Sequence, residues 1–366
     1  MLLLSDVGRQ FRSIKHEILP QIESFLESGN YMTGGYVEQL EKRIAERLGV
    51  SEAIGVGNGT DALILTLDAF GIGEGDEVIT TPYTFFATAE AISRRGARPV
   101  FADVDPVTYN LDPAHIEALI TPRTKAIMPV HLFGQSAAMD RISAIARKHR
   151  LLVIEDACQA FGAEYRGQAV GSFGDAACFS FFPTKNLSTT GDGGIIVTSN
   201  RDAAAKIRKL RQHGSSRKYY HDAIGYNSRL DEMHAIILLA ALRHIDAWND
   251  RRRALAQRYR QQLSQLSYLH LPAESQDASS VYHLFCLGSS SREPIMSLLQ
   301  QNGIQTGVYY PCPLHLQAAY KDLGYQPGDF PVAEHLSQTL FAIPMHPFLA
   351  DSEQDRIISL LHSYGG

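Results

Sequence analysis

The chain contains 366 residues, of which 45% are hydrophobic and 20% are charged. This length allows roughly two to three domains, and the composition is that of a globular protein, which excludes collagen-like, disordered and small disulfide-rich chains. The 34 basic and 39 acidic residues give a net charge of −5. No broad positive surface is therefore expected, and no nucleic-acid partner is predicted.

The sequence also predicts a protein without a membrane partner. Its longest aliphatic stretch runs from Ala235 to Leu242, far short of the roughly 18 residues that cross a bilayer. At the N-terminus, Leu2-Leu3-Leu4 is followed directly by Ser5-Asp6, without the basic lead-in of a secretory signal. We therefore expect a cytoplasmic location. Neither disulfides nor a metal site are predicted, because no C-x-x-C pair occurs among the cysteines Cys158, Cys178, Cys286 and Cys312.

The predicted elements begin with Val37–Leu48, an amphipathic segment expected to form a helix beside the core. From Ala53 to Ser199, short β-branched or apolar runs alternate with helical patterns, the order typical of βαβ units around a mostly parallel sheet. Seven strands are predicted, at Ala53–Gly57, Glu77–Thr81, Arg98–Val104, Lys125–Leu132, Leu151–Asp156, Ala176–Phe181 and Gly194–Thr198. The predicted crossover helices are Asp61–Phe70, Thr88–Arg95, Pro113–Leu119 and Asp140–His149.

The character of the sequence changes after Arg229. Leu230–Leu266 lacks Gly and Pro and is rich in Ala, Leu, Arg and Gln, which predicts one long helix or two joined helices between two domains. Farther on, the patterns predict a strand at Tyr282–Leu287, a helix at Pro294–Gln301 and a strand at Thr306–Tyr310. We therefore predict a large domain over residues 1–245 and a smaller C-terminal α/β domain over residues 246–366.

Three motifs carry chemistry. The aliphatic run that ends in Glu155-Asp156 places acids at the end of a parallel strand, where ligand sites form. Phe182-Pro183-Thr184-Lys185 is a proline turn with one lysine, whose amine can condense with a carbonyl as a Schiff base. Gly57-Asn58-Gly59-Thr60-Asp61 leads from a strand into a helix, and free amides there favour an anion such as phosphate.

Taken singly, each motif has a plainer interpretation. The acids could serve a metal, a helix cap or packing, the lysine could be a solvated turn residue, and the glycines could form a simple helix cap. Together the motifs suit pyridoxal phosphate (PLP), which offers an anion, an aldehyde and a ring nitrogen. An NAD-binding Rossmann protein is the rival, although Asp61 stands where the third glycine of that fingerprint is expected.

The motifs resemble those of the DegT/DnrJ/EryC1/StrS family of sugar aminotransferases. The resemblance is nearly full length and implies an α/β fold of the fold-type I aminotransferase class, in which a large domain with a mostly parallel seven-stranded sheet precedes a smaller C-terminal α/β domain. The segments that carry it occur in the family's order and are Gly29-Asn30-Tyr31, Gly57–Leu63, Thr81–Phe85, Glu155–Gln159, Ser180–Leu187, Gly191–Gly194, Gly225–Leu230 and Tyr310–His315.

The resemblance implies roles for four residues around the cofactor ring. Lys185 would carry the Schiff base and move protons between the substrate and the cofactor, and Asp156 would pair with the pyridinium nitrogen. Phe85 matches the aromatic position that stacks on the ring, and Gln159 matches the one near the ring hydroxyl.

The resemblance also implies a phosphate site. Gly59, Thr60 and Asp61 would bind the phosphate largely through their backbone, together with the hydroxyl of Ser180. In the family, the asparagine that corresponds to Asn227 reaches the phosphate from the neighbouring subunit. A homodimer with shared active sites is therefore implied.

The implied reaction moves an amino group from glutamate to a keto group of a nucleotide-diphosphate sugar. Arg229, Tyr309 and Tyr310 match positions near the sugar nucleotide, and His315 lies among them or in a supporting layer. The segment Pro311–Ala333 is most similar to that of members acting at C3, which favours a 3-keto-6-deoxy sugar whose product would feed O-antigens or glycosylated natural products.

Two alternatives to amino transfer stay open. One is a PLP-dependent sugar dehydratase or lyase on the same scaffold, and the other is a non-catalytic PLP-binding regulator. A branch of the family that performs dehydration carries histidine in place of the Schiff-base lysine, so Lys185 favours amino transfer.

Overall fold

A computed structural model describes residues 1–32 and 34–364 and confirms the expected α/β architecture. The strands are β1 (Glu52–Val56), β2 (Glu77–Thr80), β3 (Arg98–Phe101), β4 (Thr124–Ile127), β5 (Leu152–Asp156), β6 (Glu164–Tyr165), β7 (Gln168–Ala169), β8 (Ala176–Ser180), β9 (Gly194–Thr198), β10 (Ser215–Arg217), β11 (Tyr220–His221), β12 (Ala278–Ser279), β13 (Phe285–Gly288) and β14 (Leu340–Ile343). The α-helices are α1 (Val7–Ser28), α2 (Tyr36–Leu48), α3 (Gly59–Ala69), α4 (Ala87–Arg94), α5 (Met139–His149), α6 (Arg201–Leu210), α7 (Glu232–Leu242), α8 (Ile245–Leu263), α9 (Arg292–Gln301), α10 (Pro331–Thr339) and α11 (Asp351–Tyr364).

The predicted strands form one seven-stranded sheet in the order β1-β9-β8-β5-β4-β2-β3. Four neighbouring pairs are parallel, and β9 runs antiparallel to both β1 and β8. Two predicted strands extend too far. The strand β4 ends before Pro129, which lacks an N–H for the ladder, and β3 ends before Asp103, whose carboxylate binds the amides of Val104, Val332 and Ala333.

The helices cover the sheet as the patterns indicate, with differences that local chemistry explains. The predicted helix Val37–Leu48 corresponds to α2, and Leu230–Leu266 forms the two joined helices α7 and α8. The long helix α1 was not predicted, because Pro20 lies inside it. The helix predicted at Pro113–Leu119 is wrong, since this segment forms two short 3₁₀ turns before the Thr121-Pro122 pair, which disfavours helical backbone.

The C-terminal part contains a small antiparallel pair, β13 with β14, packed with α8, α9 and α11 around a second core. The predicted strand at Thr306–Tyr310 is wrong. Only Gly307 makes a β-bridge there, to Ala342, while the backbone of Tyr309 and Tyr310 is bound to the hydroxyl of Tyr83. A side chain from the loop after β2 therefore takes the place of a strand ladder.

The predicted boundary between residues 245 and 246 coincides with the start of α8, and the division into two domains stays a prediction. Over residues 1–32 and 34–364, no helix combines the length and the apolar character that a membrane crossing requires.

The carboxylate of Glu155 is buried completely and joins β5 to the segment that leads into β8. It accepts hydrogen bonds from the backbone amides of Gly171, Phe173 and Gly174 at 2.8 to 2.9 Å. Its other contact is His131, at 3.0 Å from Nε2. Glu155 therefore fixes the sheet next to Asp156.

Replacing Glu155 by glutamine is expected to lower the free energy of unfolding by about 2 to 4 kcal/mol, because the new amide group would face backbone donors that need an acceptor. Urea unfolding of the purified variant measures the change. The control is Glu164→Gln, which alters an exposed glutamate in β6. Equal stability of the two variants would rule out the buried acceptor role.

Candidate active site

The carboxyl edge of the central sheet gathers the motifs found in the sequence. Asp156 is the last residue of β5 and Ser180 the last of β8. Because β9 runs in the opposite direction, its first residue, Gly194, pairs with both Ser180 and Val56, where the glycine-rich turn leaves β1. The turn and the acid therefore meet at one edge, the usual place for a ligand in such sheets.

The carboxylate of Asp156 is buried, with 5% of the residue exposed. Its Oδ2 accepts a hydrogen bond from the hydroxyl of Thr88 at 2.7 Å, and its Oδ1 accepts one from the amide of Cys158 at 3.2 Å. Across residues 1–32 and 34–364, no basic side chain lies within 4.0 Å of it. A buried carboxylate with polar donors and no ion pair is suited to a cationic ligand.

Lys185 closes the tight turn after β8, where its amide binds the carbonyl of Phe182 at 2.8 Å. The residue is half-buried. Burial lowers the pKa of its amine, and the negative charge of Asp156 and the thiol of Cys158 oppose that shift. The turn thus holds an amine that loses its proton more readily than an ordinary lysine, within the electrostatic reach of Asp156.

The first turn of α3 forms the anion-type site predicted from the glycines. Asn58 caps the helix by accepting from the amide of Asp61 at 2.8 Å, and the Asp61 carboxylate accepts from Ser228 at 2.6 Å. Asp61 is therefore engaged inside the protein. Among the described residues, no acceptor is bound to the amides of Gly59 and Thr60, which leaves two donors at the positive end of the helix.

Gly59 also allows a close approach between this turn and β8. A Cβ at Gly59 would lie 2.8 Å from the Cβ of Ser180 and 3.0 Å from the Sγ of Cys158. Any larger residue would push the helix start away from the sheet edge. The glycine thus places the free amides beside the Ser180 hydroxyl.

Aromatic side chains line the open side of the site. Phe85 is 56% exposed, and its ring centre lies 6.2 Å from that of Tyr310. The buried side chain of Gln159 links two aromatic residues. Its carbonyl accepts from the amide of Phe133 at 2.8 Å, and its amide group donates to the Tyr310 hydroxyl at 3.0 Å. Burial raises the pKa of Tyr310, so its hydroxyl stays protonated. Tyr309 is half-buried next to it.

No hydrogen bond among the described residues joins the other predicted site residues to Lys185 or Asp156. Asn227 and Arg229 are exposed and joined by a 2.8 Å hydrogen bond from the guanidinium to the amide oxygen. Arg229 lines an open groove of about 450 Å³ together with Arg208, Arg211 and Glu232, and Lys185 does not line it. His315 is buried against Glu334, with 3.0 Å between Nε2 and the carboxylate.

The structure also brings to the site residues to which the sequence analysis assigned no role. Thr88 comes from α4, Ser228 from the segment before α7, and His283 from the segment before β13. His283 is buried, and burial together with the positive charges of Lys185 and Arg252 lowers the pKa of its imidazole well below the usual value. Ser228 lies within the Gly225–Leu230 motif, whereas Thr88 and His283 lie outside the motifs and reach the site only through the tertiary fold.

Comparisons with known proteins identify the family to which the chain belongs. The model of the DegT/DnrJ/EryC1/StrS aminotransferase family matches residues 12–362. A UDP-N-acetyl-3-dehydro-alpha-D-glucosamine 3-aminotransferase from Acidithiobacillus ferrooxidans is 46% identical over 97% of this chain and 96% of its own length. A dTDP-3-amino-3,6-dideoxy-alpha-D-galactopyranose transaminase from Aneurinibacillus thermoaerophilus is 44% identical over 100% of both chains.

A solved structure is similar over the whole fold. The crystal structure of DesV from S. venezuelae, in complex with a ketimine intermediate, has a TM-score of 0.97 and 40% identity, and the match covers 100% of this chain and 98% of that one. Because the family model spans nearly the entire sequence and both relatives match from end to end, the protein belongs to the DegT/DnrJ/EryC1/StrS aminotransferase family.

Proposed function

We propose that the protein is a PLP-dependent aminotransferase that moves an amino group from glutamate to a keto group of a nucleotide-diphosphate sugar. The observation that carries the proposal is that Lys185, a half-buried residue whose amine has a lowered pKa, lies within the electrostatic influence of Asp156, a buried carboxylate without an ion pair among the described residues. Relatives that are 44% to 46% identical over nearly their whole length are named for amino transfer on UDP and dTDP sugars.

The residues at the sheet edge fit PLP in three respects. The Asp156 carboxylate lacks a cationic partner among the described residues, the amides of Gly59 and Thr60 are free to bind a phosphate, and a Cβ at Gly59 would fill the space beside Ser180. When bound, PLP supplies a ring that withdraws electrons from the substrate carbon. The amine, the acid and the anion site occur together at one edge of the sheet. A solvated turn lysine or a simple helix cap would not explain why all three are found there.

Each side chain then has a defined task. We assign to Lys185 the attachment of the cofactor and the movement of a proton at its Nζ, which its lowered pKa favours. Asp156 would hold the ring nitrogen in its positively charged form, and Phe85 would cover one face of the ring. Hydrogen bonds to Phe133 and Tyr310 fix the side chain of Gln159, which would contact the ring hydroxyl. Asp61 supports the phosphate site through its bonds to Asn58 and Ser228.

For the sugar nucleotide we propose contacts from Arg229, Tyr309 and Tyr310, and a supporting place for His315. Arg229 and Tyr310 offer a cation and a protonated phenol for diphosphate and sugar oxygens. The ring of His315 is already bound to Glu334, which favours support over direct contact. The relatives named for 3-amino sugars favour a 3-keto substrate, and we retain the preference for a 6-deoxy sugar.

A donor-dependence assay tests the reaction. Purified holoenzyme is incubated with glutamate and a panel of UDP and dTDP ketosugars, and 2-oxoglutarate and aminosugar are measured by mass spectrometry. We expect one 2-oxoglutarate for every aminosugar formed, since the amino group passes from donor to acceptor. Water or ammonia released without consumption of glutamate would identify the dehydratase or lyase. A spectrum unchanged by glutamate would identify the non-catalytic regulator.

The role of Lys185 predicts a pH dependence. Only the neutral amine can attach the cofactor, and burial lowers the pKa of Lys185 from its ordinary value of 10.5. The rate of PLP uptake, followed by visible absorbance, is therefore expected to rise with pH to a midpoint below 10.5.

Lys185→Ala should still bind PLP without covalent attachment and lose turnover. The control is Lys125→Ala, which removes an exposed lysine of β4 and is expected to behave like the unmodified protein. If reduction with borohydride still attaches PLP covalently to Lys185→Ala, another lysine must form the Schiff base.

We propose further that the protein is a homodimer in which Asn227 serves the phosphate site of the second copy. The segment before α7 exposes large apolar side chains, with Tyr219 83% and Ile224 94% exposed. Such exposure next to a functional residue is typical of a partner surface. Asn227 is itself exposed and bonded to Arg229, which presents the two side chains together at this surface.

The cytoplasmic location stays a prediction.

Ile224→Asp is expected to shift the protein from dimer to monomer and to weaken PLP binding, because a charge on this surface opposes association and the second copy's Asn227 is lost. Sedimentation velocity and a PLP titration measure the two effects. Val107→Asp, at a 55% exposed valine, serves as the matched control. A dimer that persists in Ile224→Asp with unchanged PLP affinity would argue for a different interface.

A further inference from the structure

We propose that Thr88, oriented by Thr84, is a positioning residue that aims the carboxylate of Asp156 at the ring nitrogen of the cofactor. The inference rests on the proposed function, because it assumes that Asp156 serves that nitrogen. It concerns two hydroxyl groups to which no cofactor contact has been assigned.

The three side chains form a continuous chain of hydrogen bonds. The hydroxyl of Thr88 lies 2.7 Å from Oδ2 of Asp156, and the hydroxyl of Thr84 lies 3.0 Å from that of Thr88. Thr88 is 0% and Thr84 2% exposed. Water therefore has little access to this chain, and each bond lost inside it would leave a buried polar group without its partner.

The direction of the chain follows from the chemistry of its end. An ionised carboxylate only accepts hydrogen bonds, so Thr88 must donate its single hydroxyl proton to Asp156. Thr88 can then only accept from Thr84, which must donate in turn. The two hydroxyls thus have one compatible arrangement, and it presents a donor to Oδ2.

Two different segments of the chain hold the two oxygens of Asp156. Oδ2 is bound by Thr88 on α4, and Oδ1 is bound at 3.2 Å by the amide of Cys158, in the loop after β5. The terminal torsion of an aspartate has a broad energy profile, and a single contact would leave the carboxylate free to turn. Contacts on both oxygens fix the plane of the group and leave its remaining lone pairs for a ligand.

The alternative is that Thr88 only ties α4 to β5 and contributes to stability. Four variants separate the two roles: Thr88→Val, Thr88→Ser, Thr80→Val and Asp156→Asn. Thr80 is a matched control, since it is equally buried and donates its hydroxyl at 2.8 Å to the carbonyl of Met128, away from Asp156. Valine keeps the volume of threonine and removes the donor, and serine restores the donor.

Each holoenzyme is mixed with glutamate, and the rate of the spectral change is measured together with the PLP dissociation constant, the pH titration of the visible band and the melting temperature. We expect Thr88→Val to slow the spectral change about 10- to 100-fold, the effect of one hydrogen bond to a charged group. The midpoint of the visible titration, which reports the protonated Schiff base between Lys185 and PLP, should move to higher pH, as in Asp156→Asn. The reason is that a ring nitrogen without its positive charge makes the Schiff base less acidic.

Thr88→Ser should recover most of the rate and the original midpoint, and Thr80→Val should change only the melting temperature. If Thr88→Val lowers the melting temperature like Thr80→Val and leaves both rate and midpoint unchanged, the positioning role is overturned and the role of Asp156 stands. If Asp156→Asn keeps the original rate of the spectral change and the original midpoint, the proposed function of Asp156 is wrong, independently of Thr88.

Discussion

A buried carboxylate at the end of a central strand is the constraint on which the rest of the site depends. Removing Asp156 from water disfavours its charged form unless donors or a cation replace the lost solvation. The protein supplies two donors, from Thr88 and Cys158, and no ion pair among the described residues. The fold therefore leaves the final compensation to a ligand with a positive charge, which a protonated pyridine ring provides.

The same environment sets the behaviour of Lys185. Burial alone drives its amine toward the neutral form, and the negative charge of Asp156 acts in the opposite direction. The net effect lowers the pKa of the amine, which loses its proton more readily than an ordinary lysine. A group that must bind an aldehyde and later give and take protons is best served by such a lowered pKa. His283, kept neutral by burial and by neighbouring positive charges, adds no competing cation beside it.

The sequence predicted the parts of the molecule that local patterns encode. The strands of the central sheet are short runs of apolar and β-branched residues, and all seven were found, because strands buried on both faces of a sheet have this composition. The strand at Thr306–Tyr310 was wrong because Tyr83, more than two hundred residues earlier, binds that backbone. Thr88 and His283 escaped notice for the same reason, since only the tertiary fold brings Thr88 to Asp156 and His283 near Lys185.

The anion site shows how tightly the parts of this edge are joined. A Cβ at Gly194 would lie 2.4 Å from the carbonyl oxygen of Asn58, so the first residue of β9 must be glycine for the cap of α3 to sit against the sheet. Cys158 then contacts both sides, because its amide binds Asp156 and its sulfur lies beside Gly59. A change in the loop after β5 therefore moves the acid and the helix start together. The ring nitrogen and the phosphate of PLP belong to one molecule, so the groups that bind them must keep a set spacing. Cys158 contacts both Asp156 and the start of α3, and it thereby helps to maintain that spacing.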